Sequence, residues 1–86
     1  MTQIIMPPTP AVQVQEPLYE TISRVLRHNI TSGVLPAGLV LIEGPIAKLM
    51  QTSRAPVQAS LRMLRAEGLI HRFRGRGYLV GAAGAT

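Results

Sequence analysis

The stretch Thr52-Ser53-Arg54-Ala55-Pro56-Val57-Gln58-Ala59-Ser60-Leu61-Arg62-Met63-Leu64-Arg65-Ala66-Glu67-Gly68 decides how this chain folds. Thr52 or Ser53 can cap a helix, Pro56 falls in a first turn where no amide donor is missed, and Gly68 can supply the left-handed stop. Stepping about 100° per residue brings Val57, Leu61, Leu64 and Gly68 to one side, which is read as the core face. Arg54, Gln58, Arg62 and Arg65 fall on a neighbouring stripe that contains no acid. The spacing therefore predicts a helix over 54–67 with one buried face and one cationic face.

Working upstream, Leu18, Ile22, Val25, Leu26 and Ile30 recur at helical steps and predict an amphipathic helix. Pro17 suits its first turn, Glu16 and Glu20 complement the positive end of its dipole, and Gly33 can end it. Leu35-Pro36-Ala37-Gly38 reads as a β-turn with Pro in second place, and Leu39-Val40-Leu41-Ile42 as a short strand. Gly44-Pro45 opens a second helix with Pro at its first position; Ile46, Leu49 and Met50 are its expected inward face, and it should stop near Gln51.

Downstream of Gly68 the period becomes extended. Residues 69–73 and 78–80 read as strands joined by Arg74-Gly75-Arg76-Gly77, a tight-loop signal. Arg72, Arg74 and Arg76 alternate, so they are expected to start on one face and converge at the hairpin tip. The fold class is thus mainly α with a small β-hairpin, a three-helix winged helix-turn-helix. Domain limits follow as a flexible proline-containing leader over 1–16, the folded unit over 17–81 and a flexible tail over 82–86.

The net charge is +5. Up to Ser53, Arg24, Arg27 and Lys48 are balanced by Glu16, Glu20 and Glu43, so the excess comes from Arg54 onward, where six Arg face Glu67 alone. The guanidinium fork suits phosphates and base edges, and a polyanion is the natural partner. Other classes are poorly provided for. Without Asp there is no Ser-His-Asp triad, and without Cys neither a disulfide framework nor a thiolate metal site. His28 and His71 stand on different elements and read as surface or phosphate-facing imidazoles rather than metal ligands. Gly75-x-Gly77 precedes a strand instead of a helix, the wrong context for a nucleotide loop. The longest apolar stretch, Gly33 to Ile42, contains Pro36 and is too short to cross a membrane, and no basic residue precedes the apolar N-terminal letters. A cytoplasmic protein without catalysis, metal or cofactor in this segment is the expectation.

These residues also resemble a family, the bacterial GntR-type transcription regulators, over Leu18 to Val80. Gly33, Leu35, Gly38 and Leu41 match its G-x-L-x-P-G-x-x-L pattern, with Pro36 and Ala37 exchanged by one place. Glu43, Ile46-Ala47 and Met50 stand where it has E, L-A and L. Ser53-Arg54-x-Pro56-Val57, then Leu61, Leu64 and Glu67-Gly68-Leu69, match its recognition helix, and Arg76-Gly77 its wing; Pro56 is more like the FadR-type branch. The resemblance implies a homodimer of the full-length regulator on palindromic operator DNA. Base contacts would come from Ser53, Arg54 and the following turn with Ala55, and minor-groove contact from the wing tip at Arg74, Gly75, Arg76 and Gly77; Gln58, where the family has Arg, either reaches a base or touches only phosphate or water. Arg62 and Arg72 join the site through the basic stripe and hairpin. The segment alone is expected to be monomeric, and with the family's effector domain absent it reads as a DNA-binding unit cut from a longer regulator, with a naturally short regulator as the alternative. Departures from the pattern are Gln58 for Arg, Gln51 for Gly and Ser60 for Ala.

Two alternatives stand beside this reading. One is a winged helix that binds an acidic protein partner. The other is a general nucleic-acid module, against which the small aromatic set, Tyr19, Phe73 and Tyr78, argues by offering little stacking surface. At the recognition helix, Arg54 and Gln58 are one turn apart, so both project from the N-terminal part of one face. Arg forks onto guanine O6 and N7, whereas Gln pairs with adenine N6 and N7.

Overall fold

The computed structural model describes residues 16–81. Of the expected leader only Glu16 lies among them, and the expected tail over 82–86 lies outside them. Three helices, α1 (Leu18–Thr31), α2 (Glu43–Leu49) and α3 (Arg54–Ala66), alternate with short strands β1 (Val40–Leu41), β2 (Ile70–Arg72) and β3 (Tyr78–Val80). The sheet is antiparallel in the order β1-β3-β2, so the hairpin partner β3 is central and β1, from before α2, completes it. Leu41 is paired with Tyr78, and Arg72 with Tyr78 from the other side. The described residues form the three-helix winged helix-turn-helix expected from the sequence, with a third strand added to the hairpin. No helix among them is long and apolar enough to cross a membrane.

α3 carries the core. Val57, Leu61 and Leu64 are each 0% exposed, meeting Ile22 and Leu26 of α1, Ala47 of α2, Leu41 of β1, Ile70 of β2 and Tyr78 and Val80 of β3 in one cluster. Gly68, expected on that same face, is instead exposed and forms the turn that ends the helix. Its N–H donates to the Arg65 carbonyl and that of Leu69 to the Leu64 carbonyl, the paired bonds of a Schellman stop.

Two expected stripes are rotated. On α1, Leu18 and Val25 are exposed, because α3 covers only the side bearing Ile22, Ser23 and Leu26. Pro17 sits just outside the helix, where its carbonyl accepts the Glu20 N–H at 2.9 Å. On α2, Ala47 is the buried residue, flanked by partly buried Ile46 and Met50, and this rotation leaves Leu49 80% exposed. Pro45 is the third residue of α2, still within the first turn where no intrahelical donor is lost.

The β-turn also lies one place later than expected. The Leu39 N–H donates to the Pro36 carbonyl at 3.1 Å, so Pro36 is first and Gly38, at φ +94°, third. The positive φ has to fall on glycine, which sets the register. Gly38 and Val80 then bond this turn to β3, through Gly38 N–H to Val80 O at 2.9 Å and Val80 N–H to Leu39 O at 2.8 Å. His71 is a structural residue: its Nδ1 lies 2.9 Å from the Gly81 carbonyl oxygen.

Polar groups fasten the α1–α3 seam at two levels. Arg27 forks onto Glu67, with Nε to Oε1 at 2.8 Å and Nη2 to Oε2 at 2.6 Å. The hydrogen bonds from Arg27 hold the Glu67 carboxyl below the usual carboxylate range. Deeper in, Ser23 and Ser60 are buried with their hydroxyl oxygens 2.9 Å apart, and Ser23 Oγ lies 2.7 Å from the Tyr19 carbonyl oxygen. A hydroxyl has one proton, so if Ser23 donates to Tyr19, Ser60 donates to Ser23. The Ser in place of the family pattern's Ala at position 60 therefore has a partner on the facing helix.

This chain of donation makes the two serines unequal. Ser23→Ala strips buried Ser60 of its acceptor and should cost about 1–3 kcal/mol, whereas Ser60→Ala leaves Ser23 bonded to Tyr19 and should cost about 0.5–1.5 kcal/mol. Denaturant unfolding of both variants checks the order; equal costs would contradict it.

Candidate nucleic-acid interface

Burial of Val57, Leu61 and Leu64 fixes the rotation of α3 and turns its opposite side to solvent. Arg54, Ala55, Arg62 and Arg65 are exposed there, and Gln58 is half-buried. Ser53 is the N-cap in extended conformation, with φ −76° and ψ 174°, but its side chain makes no capping bond. Its hydroxyl and the first amides of α3 share one end of the helix, a place that suits an anion.

The turn that delivers α3 is a Schellman stop built without glycine. Gln51 N–H donates to Lys48 O at 3.2 Å and Thr52 N–H to Ala47 O at 2.9 Å, which requires a left-handed residue at position 51. Gln51 adopts it, at φ +57°.

At the wing, Arg76 N–H donates to Phe73 O at 3.0 Å, and the two residues between, Arg74 and Gly75, have φ of +52° and +73°. Both central residues of the turn are left-handed, as a type I′ turn demands. This ends the strand alternation at Phe73, so the three arginines do not converge as expected. The Arg74 guanidinium lies over the Phe73 ring, 5.7 Å from its centre. Arg72 lies over the Tyr78 ring at 5.4 Å and donates to the Gly75 carbonyl at 2.9 Å, which ties the tip to the strand. Gly77 holds the wing close to β1: at φ +80° a side chain would be strained, and its Cβ would fall 2.9 Å from the Leu41 carbonyl oxygen.

Arg72 and Arg76 instead join Arg54 along a groove of about 550 Å³ between the wing and the start of α2, together with Glu43, Gly44 and Tyr78. Sequence reasoning left Glu43 and Gly44 out of the site. Gln58 Nε2 donates to Glu43 Oε1 at 2.6 Å, and a Cβ on Gly44 would stand 2.9 Å from Arg54 Nη2. The start of α2 thus holds Gln58 of α3 and leaves room for Arg54, an arrangement that no single-helix periodicity reveals.

The carboxylates sort the cations. Glu16 pairs with Arg24 and Glu67 with Arg27, both on α1. Among the described residues, Lys48, Arg54, Arg62, Arg65, Arg72, Arg74 and Arg76 form no salt bridge, and all but Lys48 belong to α3 and the wing. This half of the surface is positive because Glu16 and Glu67 pair with α1, and the one carboxylate in the groove, Glu43, is bonded to the neutral Gln58 rather than to a cation.

Comparison with known proteins gives a consistent picture. Residues 18–80 match the model of a family described as bacterial regulatory proteins, gntR family. The crystal structure of a transcriptional regulator (GntR family member) from Pseudomonas syringae pv. tomato str. DC3000 is similar at 34% identity and a TM-score of 0.70, over 78% of this chain and 30% of that one. E. coli McbR/YncC shares the fold, with a TM-score of 0.74 at 22% identity, over 83% of this chain and 34% of that one. The chain spans about a third of the length of these structures. No curated protein matches it.

Because Gln51 takes a conformation that costs an L side chain but not glycine, Gln51→Gly should stabilise the fold by about 0.5–1 kcal/mol. Thermal and denaturant unfolding measure this. A loss of stability would contradict the left-handed turn.

Proposed function

Since this chain belongs to the gntR family of bacterial regulatory proteins, we propose that it is the operator-reading unit of a transcription regulator, with α3 in the major groove and the wing on the adjacent backbone and minor groove. The observation that carries this reading is the sorting of charge: cations on α1 are neutralised by Glu16 and Glu67, whereas those of α3 and the wing are left for an external polyanion. Phosphate contacts supply affinity and register, and base edges supply sequence preference.

Within that reading each site residue has a role set by its position. Ser53 and the amides at the head of α3 meet a phosphate. Arg54, Ala55 and Gln58 lie at the N-terminal part of α3 that reaches base edges, and Arg62, a further turn along, meets the flanking backbone. Arg76 and the tip residues Arg74, Gly75 and Gly77 face the strand beside the groove, while Arg72 shapes the tip and lends its charge. The regulator would act as a homodimer on a palindromic operator, with half-sites one helical turn, about 34–36 Å, apart. The reading assigns this segment no catalysis.

Salt dependence of duplex binding tests the proposal. Arg62→Ala and Arg76→Ala should each flatten the log-log salt slope by about 0.9. Arg24→Ala, which removes a cation already paired with Glu16, should leave the slope unchanged. Equal effects from all three, or loss of binding to single-stranded competitor as readily as to duplex, would overturn the assignment.

A further inference from the structure

The contact between Glu43 and Gln58 joins residues that stand on different helices, and Glu43 lines the groove together with Arg54, Arg72 and Arg76. At 2.6 Å it has the length of a charge-assisted hydrogen bond, and it is partly buried. A carboxylate only accepts, whereas a glutamine amide can donate from one end and accept at the other. With its nitrogen claimed by Glu43, the amide is not free to turn over. Its oxygen is held as the end left for another partner.

We infer that Glu43 sets the base preference of Gln58 without touching a base, by holding the amide so that its oxygen leads toward the DNA. The inference rests on the reading of α3 as the helix in the major groove. Adenine N6 and cytosine N4 offer donors there, whereas guanine O6 and N7 and thymine O4 offer acceptors. An amide held oxygen-first accepts from adenine or cytosine and opposes guanine and thymine. The bidentate pairing with adenine stays open through the second amide proton. Without Glu43 the amide turns over at little cost, and the nitrogen end serves guanine or thymine equally well.

Gly44, the next residue, leaves room beside this contact. Its missing side chain leaves the space that the Arg54 guanidinium occupies, since a Cβ there would fall 2.9 Å from Nη2. Of Glu43 and Gly44, it is Glu43 that fixes its partner, because the Arg54 guanidinium is the flexible end of an exposed side chain. Glu43 is a positioning residue in this scheme, and Gln58 is the residue that reads.

A randomised-duplex selection on the 86-residue chain and its variants tests the inference, with a thermal melt of each variant to establish folding. Wild type should enrich adenine or cytosine at one symmetric position. Glu43→Ala should raise guanine and thymine there by about ten-fold relative to wild type, the scale of one base contact, and Glu43→Gln, whose own amide can turn, should fall between. In a Gln58→Ala background, Glu43→Ala should leave the base profile as it is. An unchanged profile in Glu43→Ala and Glu43→Gln, or the same change with and without Gln58, overturns the inference while leaving the DNA-reading assignment intact. A wild-type chain that enriches no sequence overturns that assignment and the inference with it.

Discussion

The complete burial of one face of α3 is the constraint from which the rest of this structure follows. Val57, Leu61 and Leu64 are 0% exposed and lie in a single core to which every other element contributes a buried residue. Truncating Leu61 or Leu64 to Ala would remove roughly 2–5 kcal/mol, a large part of what a domain this small has to spare. A helix fixed on one side has no freedom to roll. The direction in which Arg54, Gln58, Arg62 and Arg65 point is therefore determined by residues buried in the core.

The same constraint makes the short elements useful. α2 is too short to be stable alone, and β1 is only a bridge of two residues. Each is held by its neighbours: α2 by Ala47 in the core and a Schellman turn through Gln51, and β1 by its pairing with β3. In return they position the site. α2 holds Gln58 through Glu43, and β1 gives the wing a surface against which Gly77 can lie at close range. Electrostatics are arranged by the same packing, because Arg27 and Glu67 meet where α1 crosses α3 and withdraw an acid from the positive side.

Much of this was legible in the sequence, and the parts that were not share a cause. The α3 periodicity and the glycine stop at Gly68 depend on local geometry, and local geometry is written in neighbouring letters. Leu49 and Leu18 could not be placed from their own helices, since an apolar residue at helical spacing is buried only if another element covers it; here α3 covers Ala47 and Ile22 instead. The Ser23–Ser60 and Glu43–Gln58 bonds join residues 37 and 15 positions apart. Only the departure of Ser60 and Gln58 from the family pattern hinted that these sites differed. At the wing, alternation predicted three arginines on one face, and the left-handed Arg74 ended it.

The central claim is that core packing of α3 presents its N-terminal half, the start of α2 and the wing as one DNA-binding surface. Backbone amide shifts of the labelled chain during titration with duplex DNA test it most directly. The account predicts perturbations concentrated at Glu43–Gly44, Ser53–Gln58 and Arg72–Gly77, with the outer face of α1 at Leu18 and Val25 unmoved. Perturbations centred on that outer face, with α3 and the wing unaffected, would contradict it.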